Sequence, residues 1–580
     1  MLIFELFRSF QPLGNPIGFG ASDFLEITVA ALLLLLTLVC RPFVEPYARR
    51  VAGKTRWCML LLAVLPIVLR LALLPHHPVP APDVYDEFGH LLVADTLRHF
   101  RLANPPHPLP QFFETFSVLQ KPTYSSIYPI GQGLVLALGR LVFGLPWAGV
   151  LLSTAALCAL SYWMLRAWTT PLWSLVGGLL AVIEFGPLNP WMNSYWGGSL
   201  AAAAGCLVFG ALPRVMESRR SRDAALLGLG LGLHLLVRPY ESVFLVLVAI
   251  LFVVPKFRSL VKAAAVALAV LLPALGLTLL QNKQVTGSWT TLPYMLSRYQ
   301  YGVPAAFTFQ ADAVPHRDLT LQQQLEYKSQ LSFRSTGPET LQSFLLRLEY
   351  RVRFYRFFFL APLYVALLFF LPALGEPRFR WVVFTLAIFA LGANFYPFFE
   401  VHYLAALTCL FILVSITGLQ QLSRWSPLAA QLVLFLCVAH FVFWYGLHLF
   451  EGSEVAPLME QYETWYGINH GNPQRRILVN RQLAGITGKL LVFVRYWPQH
   501  HFQEEWVYND ADIDQARIVW ARDLGDTENE KLLRYYPGRV AWLLEPDAAP
   551  PKLGRYMIST AEPAPAQTTA PPPLRFEQVK

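Results

Sequence analysis

Residues 80–90, PAPDVYDEFGH, set three carboxylates (Asp83, Asp86 and Glu87) and an imidazole (His90) within eight positions. The stretch follows an apolar run, 57–75, by four residues, so the charges gather where the chain leaves a segment of membrane-spanning length. Carboxylates this close repel one another; some take up a raised pKa, or a cation sits among them. A carboxyl group with a raised pKa is a competent general base near neutral pH. The competing reading is the solvated polar face of an interfacial helix.

The local pattern puts these groups on a helix. Pro82 suits a first helical turn, and Asp83 suits the positive end of the helix dipole. At 3.6 residues per turn, Asp83, Asp86, Glu87, His90 and Ala94 share one face, while Val84, Phe88, Leu91 and Leu92 share another. The expectation is an amphipathic helix lying along the outer membrane surface. Asp95 falls on its apolar half, where Arg98 or Arg101 is the expected partner and the role structural.

The rest of the chain is built to hold such a stretch at a membrane. Of 580 residues, 55% are hydrophobic and 14% charged, whereas ordinary soluble chains carry about 25% charged residues. A span needs roughly 20 mostly apolar residues. The clearest runs are 24–41, 57–75, 148–167, 263–281, 353–373, 379–395, 403–419 and 428–450. Shorter or interrupted ones lie at 127–144, 171–189, 197–213, 224–237 and 241–254. The predicted class is an all-α polytopic membrane domain, residues 1–450, with about 11–13 spans. The first run ends in RPFVEPYARR with no small-residue cleavage site, and so reads as a retained span. All six cysteines fall inside or at the ends of apolar runs, which argues against a disulfide framework or a zinc site.

The net charge of +9 is placed in short loops at 41–56, 214–222, 256–262 and 376–380. That is the positive-inside pattern of a membrane protein, and it gives no reason to invoke nucleic acid. With those loops cytoplasmic, residues 77–126, 282–350, 395–403 and everything after 450 face out. The runs 224–237 and 241–254 form a hairpin with RPYE (238–241) at its outer tip. Four apolar segments lie between 127 and 213, where this orientation needs an odd number of crossings. One of them is therefore expected to be re-entrant or to cross only halfway.

After residue 450 the composition changes. KLLVFVRY (489–496), ARIVWARD (516–523) and RVAWLLEPD (539–547) read as strands, with TENEKLLRYY (527–536) as a helix. The expectation is a small α/β outer domain over 451–560 with a parallel strand pair, followed by a disordered Pro-rich tail at 561–580.

A span followed at once by an outer loop beginning with Asp-Glu resembles the GT-C superfamily of membrane glycosyltransferases. Protein O-mannosyltransferases and lipid A aminoarabinose transferases carry such a motif. YDEFGHLLVADTL is similar to their acidic motif with its following apolar helix. NPPHPLPQFFETFSVLQKPTYSSIYPIGQG (104–133) is similar to the second half of that loop, with Lys-Pro and Tyr-Pro ahead of the next span. The likeness of architecture runs over 57–450, and the specific motifs are confined to about 83–133. It is nearest to bacterial members of the dolichyl-phosphate-mannose type that end in a small outer α/β domain. The spacing here is D-x-x-D-E, not the D-x-D of oligosaccharyltransferases that use a pyrophosphate donor. That weakens the case for a catalytic divalent metal, which Asp83 and Asp86 would have to share.

The resemblance implies an enzyme of the bacterial cytoplasmic (inner) membrane with its site facing out. The donor would be a polyprenyl-phosphate sugar, and the acceptor a hydroxyl of a glycan, lipid or protein. Transfer would proceed by single displacement with inversion. Asp86 is the expected general base, with Asp83 or Glu87 orienting it or holding the acceptor. Lys121, Arg238, Arg298 and His402 are the candidates for the leaving phosphate. His90, Tyr124, Tyr128 and Glu241 complete the set as acceptor-binding or supporting groups. The aromatics of 282–304, Trp289, Tyr294, Tyr299 and Tyr301, read as an interfacial belt. Gly197, Gly198 and the LGLGLGL of 227–233 read as sites of close helix packing. The main rival is a secondary transporter or flippase that uses the acidic cluster for ion or proton coupling. Transporters usually keep such charges near the midplane of paired repeats, and here they lie in a loop with no clear repeat. A noncatalytic scaffold is the third reading.

Overall fold

A computed structural model describes residues 21–305, 307–332, 339–449 and 473–557. The apolar runs form helices, since in lipid every backbone group must be satisfied within its own segment. Among the described residues seven helices are long and apolar enough to cross a membrane: Thr55–Ala72, Pro146–Leu165, Ser199–Ser218, Pro239–Lys256, Arg258–Thr286, Val401–Trp425 and Pro427–Gly446. Other expected runs also form helices, among them Ala21–Ala52 with 32 residues and Ser221–Val237 and Pro377–Ala393 with 17 each. Ile130–Phe143 and Pro171–Phe185 have 14 and 15 residues. At 1.5 Å per residue each reaches only about 21–22 Å, short of the ~30 Å hydrocarbon layer. Pro171–Phe185 still joins the two ends, from Trp168 beside Arg378 to Phe185 stacked on Trp191. Ile130–Phe143 is instead followed directly by Trp147, which donates to Met192 O at the end where it began. One of the four segments between 127 and 213 thus fails to cross, as expected. The run 353–373 is no straight span either: Leu341–Phe358 and Leu363–Gly375 meet at 114°. Pro362, at that break, has no N–H to continue a helix. The first helix, Ala21–Ala52, runs on through RPFVEPYARR and does not stop at 41.

The loops sort to two ends, as the charge pattern anticipated. At the basic end Tyr162 donates to Ala52 O (2.7 Å), Arg214 to Trp163 O (2.7 Å) and Arg378 to Trp168 O (3.3 Å). Close packing in the 227–233 stretch is borne out: a Cβ on Gly228 would lie 2.2 Å from Ala267 O of the neighbouring helix.

At the other end the acidic stretch forms the helix Tyr85–Arg98. It is packed on two sides. One side packs against Ile130–Phe143, and the Phe88 ring stacks on Tyr508 of the C-terminal region at 4.2 Å. The helix is thus held between the membrane helices and the C-terminal sheet. Asp95 has the structural role expected, pairing with Arg98 (2.8 Å) and accepting from the Ala511 N–H (2.9 Å). Its other cation is Arg140 (3.3 Å), which the sequence reading did not name.

The C-terminal strands fall within the segments that read as strands. Ile518–Arg522, Leu490–Val494, Val540–Glu545 and Lys552–Arg555 form one sheet in that spatial order. The first three are parallel and the last antiparallel, with helix Asp526–Tyr535 crossing between. Phe112, Phe113, Val118 and Tyr124 of the 77–126 loop share a hydrophobic core with Leu491, Phe493, Val519 and Leu532. The sheet is therefore packed onto the loop that carries the acidic helix. The 561–580 tail and residues 450–472 lie outside the described residues.

Candidate active site

The acidic helix is set in place by Glu87. Its carboxylate turns back to accept the N–H groups of Asp83 (2.8 Å) and Val84 (3.3 Å), capping the helix N-terminus. The other oxygen accepts the Tyr195 N–H (2.8 Å) and so ties down the 189–198 segment. Gly197 and Gly198 in that segment have φ of +101° and +114°, which favours glycine, and a Cβ on Gly198 would also lie 2.3 Å from the Trp191 ring. With Glu87 engaged below, its neighbour Asp86 faces a cavity of about 490 Å³.

Tyr128 donates its phenolic hydrogen to Asp86 Oδ1. Its ring can approach because Gly89 has no side chain; a Cβ there would stand 2.6 Å from Tyr128 Cδ2. His90 packs on the same ring at 4.4 Å. Across the cavity Arg238 is the single residue between helices Ser221–Val237 and Pro239–Val253. Its guanidinium lies over the Tyr403 ring at 5.0 Å.

Burial pushes the Asp86 carboxyl up to about 6. Hydrogen bonds from Tyr128 and Trp196 and the charge of Arg238 oppose that rise, and Glu326 adds to it. Burial likewise raises Glu87 to about 7, although three backbone N–H groups favour its ionised form. His90 is pushed down to about 3 by burial and by Arg238, so it is neutral at ordinary pH. The arrangement is a carboxylate poised to accept a proton beside a cation able to hold an anion.

The structure brings together most of the residues singled out in sequence. Asp86, His90, Tyr128, Arg238, Glu241, Arg298 and His402 all line this cavity. Glu241 accepts from Tyr396 at 3.4 Å, and His402 stands between the rings of Trp196 and Tyr403 at 5.2 and 5.0 Å. Arg298 spends hydrogen bonds on Gln310 (2.7 Å) and Ala311 O (3.2 Å).

Four expected residues lie elsewhere. Asp83 is exposed, precedes the helix and is outside the cavity, so it does not share a face with Asp86. The two carboxylates do not converge on a cation. Among the described residues no group of three or more His, Cys, Asp or Glu side chains could hold a metal ion. Glu87 faces backbone, as above. Lys121 is exposed, and only its carbonyl is engaged, by Gln300 (2.9 Å). Tyr124 is buried and donates to Asn509 O (3.0 Å), so it docks the C-terminal domain. Both belong to the small hairpin Val118–Leu119 with Ser125–Ser126, of which only the flanking residues Phe116, Ser117, Ile127 and Tyr128 line the cavity.

Sequence reasoning missed Glu326, Gln132 and Trp196, which line the same cavity. Glu326 lies in LQQQLEYKSQL, which reads as an ordinary polar helix, and no local signal marks it. The 282–304 aromatics divide: Tyr294 and Tyr299 reach the cavity, Tyr301 donates to buried Glu114 (3.0 Å), and Trp289 stays exposed.

No protein-family model and no curated protein matches the sequence. Among solved structures the chain is similar to ArnT from Cupriavidus metallidurans in the apo state. The TM-score is 0.50 at 11% identity, over 85% of this chain and 93% of that one. The fold is of the GT-C type. A second likeness is to the oligosaccharyltransferase of Archaeoglobus fulgidus in its apo form, with TM-score 0.41 and 11% identity over 85% of this chain and 69% of that one. The same archaeal enzyme in complex with an inhibitory peptide and a dolichol-phosphate gives a TM-score of 0.36 at 10% identity, over the same shares of the two chains. At these identities the likeness is one of architecture, and the chemistry has to be argued from this chain's own residues.

Proposed function

We propose that this multi-pass membrane protein is a glycosyltransferase that moves one sugar from a polyprenyl phosphate to an acceptor hydroxyl. Asp86 removes the proton from the acceptor hydroxyl, and the freed oxygen attacks the anomeric carbon. The bond from that carbon to the phosphate oxygen breaks, polyprenyl phosphate leaves, and the anomeric centre inverts. Arg238 offsets the charge that grows on the departing phosphate. His402 and Arg298 shape the wall around it, and Tyr128 and Glu87 position Asp86. The observation that carries this reading is the presence of Asp86, held near pH 6, and Arg238 in one cavity at the ends of the membrane helices opposite the basic loops. The GT-C fold supports it. The positive-inside pattern supports a bacterial inner membrane with the cavity on the periplasmic side.

The test is release of polyprenyl phosphate by the purified protein from a panel of polyprenyl-phosphate sugars, with membrane extract as acceptor. Turnover that Asp86→Asn abolishes sustains the proposal, and turnover that survives Asp86→Asn removes Asp86 as the base. Absence of turnover, together with ion-coupled uptake or lipid flipping that Asp86→Asn stops, would assign the cavity to a transporter.

A further inference from the structure

Arg70 stands in the last turn of the membrane helix Thr55–Ala72, where an arginine ordinarily extends its head to water. Here the side chain turns inward and is 1% exposed. Its partners among the described residues are neutral. Nη1 donates to His77 O (3.0 Å), Nη2 to Pro78 O (3.0 Å) and Nε to Asn193 Oδ1 (2.6 Å). The guanidinium lies over the Trp147 ring at 4.8 Å. An arginine is costly to bury even when its bonds are made, and what its fork joins gives the reason for it.

The fork joins two segments that both lead to Asp86. His77 and Pro78 begin the stretch that runs into the helix Tyr85–Arg98, which carries Asp86. Asn193 belongs to the 189–198 segment, whose Trp196 side chain donates to the Asp86 carboxylate. Asn193 is itself held fast, since its amide nitrogen donates to Pro187 O and Asn189 O, both at 2.8 Å. Trp147, beneath the guanidinium, donates to Met192 O of the same segment (2.9 Å). The two segments meet again where the Tyr195 hydroxyl donates to Pro80 O (3.0 Å) and the Tyr195 N–H to Glu87 (2.8 Å). The base and one of its hydrogen-bond donors are thus carried on separate pieces of chain, and Arg70 pins one piece to the other.

We propose that Arg70 is a positioning residue, which from within the membrane helix holds the Asp86 carboxylate against the Trp196 indole. The inference rests on the glycosyl-transfer reading. The indole bond favours the ionised carboxylate, so a loosened seam raises the pH at which Asp86 gives up its proton. Arg238, Glu326 and Glu400 are the charged groups that act on Asp86, and the phenols of Tyr85, Tyr403 and Tyr508 face it as well. None of the three Arg70 bonds goes to an element that carries one of these groups. Loss of the fork therefore acts on the base through the Trp196 bond.

The experiment uses the full chain in nanodiscs and reads the pH midpoint of kcat/KM for release of polyprenyl phosphate. Arg70→Met is expected to raise the midpoint by about 0.5–1 unit and to lower kcat about tenfold, with donor KM changed less than about twofold. Arg70→Lys keeps the charge but not the fork and is expected to fall between. Asn193→Ala cuts only the branch to the 189–198 segment and is expected to move the midpoint the same way; it decides the matter should Arg70→Met fail to fold. Trp196→Phe removes the bond itself, and adding Asn193→Ala to it is expected to move the midpoint no further. An unmoved midpoint in either folded variant, with only Tm lowered, makes Arg70 structural and overturns the proposal. A full second shift in the double variant overturns it too. Should wild type release no polyprenyl phosphate from any donor, the glycosyltransferase reading fails on its own account. The Asp86 midpoint is then read from the pH dependence of its labelling by a water-soluble carbodiimide, located by peptide mass spectrometry. The same order of shifts sustains the role of Arg70, and equal midpoints in all variants overturn it.

Discussion

Tyr128 donates to Asp86 from a ring laid against Gly89, so a residue with no side chain decides the environment of the carboxylate beside it. Ser117 Oγ lies 3.2 Å from the same phenol oxygen and fixes the ring from the other direction. The bond favours the ionised carboxylate, while burial favours the neutral one. The balance near pH 6 follows from these opposed effects.

A base works in its ionised form, so transfer is expected to rise with pH through about 6 and level off above it. Removing the Tyr128 hydroxyl removes a bond to the charged form. Tyr128→Phe should therefore move the midpoint to higher pH, by about 1–2 units if the bond is worth ~1.5–3 kcal/mol. The pH profile of kcat/KM for both proteins checks this, and an unmoved midpoint counts against Asp86 as the titrating group. For stability the sign is opposite. A carboxyl held above its unfolded value of 3.8 contributes below that pH, and the contribution is lost as pH rises through about 6.

Gly89→Ala should improve helix propensity by up to ~1 kcal/mol and still harm activity, because the new methyl group displaces the Tyr128 ring. Transfer is expected to fall by about tenfold or more. In that background Tyr128→Phe should add little, since both changes break one contact. Fully additive losses in the double variant would show that Gly89 acts by another route.

Glu87 is next to Asp86 in sequence but is engaged by backbone. Glu87→Gln turns one carboxylate oxygen into an NH₂ group that cannot accept, so at least one of three bonds is lost. The expected cost is about 1–3 kcal/mol of stability, read as a lowered Tm. Activity per folded molecule at low temperature should stay well above that of Asp86→Asn. Equal losses in the two variants at an unchanged Tm would place Glu87 in the chemistry itself.

Arg238 presents a planar fork, and lysine would keep only the charge. Arg238→Gln should lower kcat by about 10²-fold or more, with Arg238→Lys intermediate. Acceptor KM should stay near wild type in both. A rise confined to acceptor KM would move Arg238 to the other side of the site.

Composition and run length by themselves determined a polytopic helical protein, because lipid demands only apolarity and length of a segment. The placement of Lys and Arg told which loops share an end, and Arg214, Arg378 and Ala52 meet there as read. The strands near 490, 520 and 540 were legible because each is a short local run rich in apolar and β-branched residues. The acidic helix and Asp86 were legible for the same reason, since period and residue type suffice to mark them. Tertiary structure alone decided which of the polar groups meet. A helical wheel puts Asp86 and Glu87 on one face, but it does not contain the Tyr195 N–H that draws Glu87 away. Lys121, Tyr124 and Tyr128 lie within eight positions, and a short hairpin sends only Tyr128 to the cavity. Glu326 is 241 residues along the chain from Tyr85. Its place beside Asp86 depends on a C-terminal sheet that docks through Arg522, and no residue pattern near Glu326 encodes that contact.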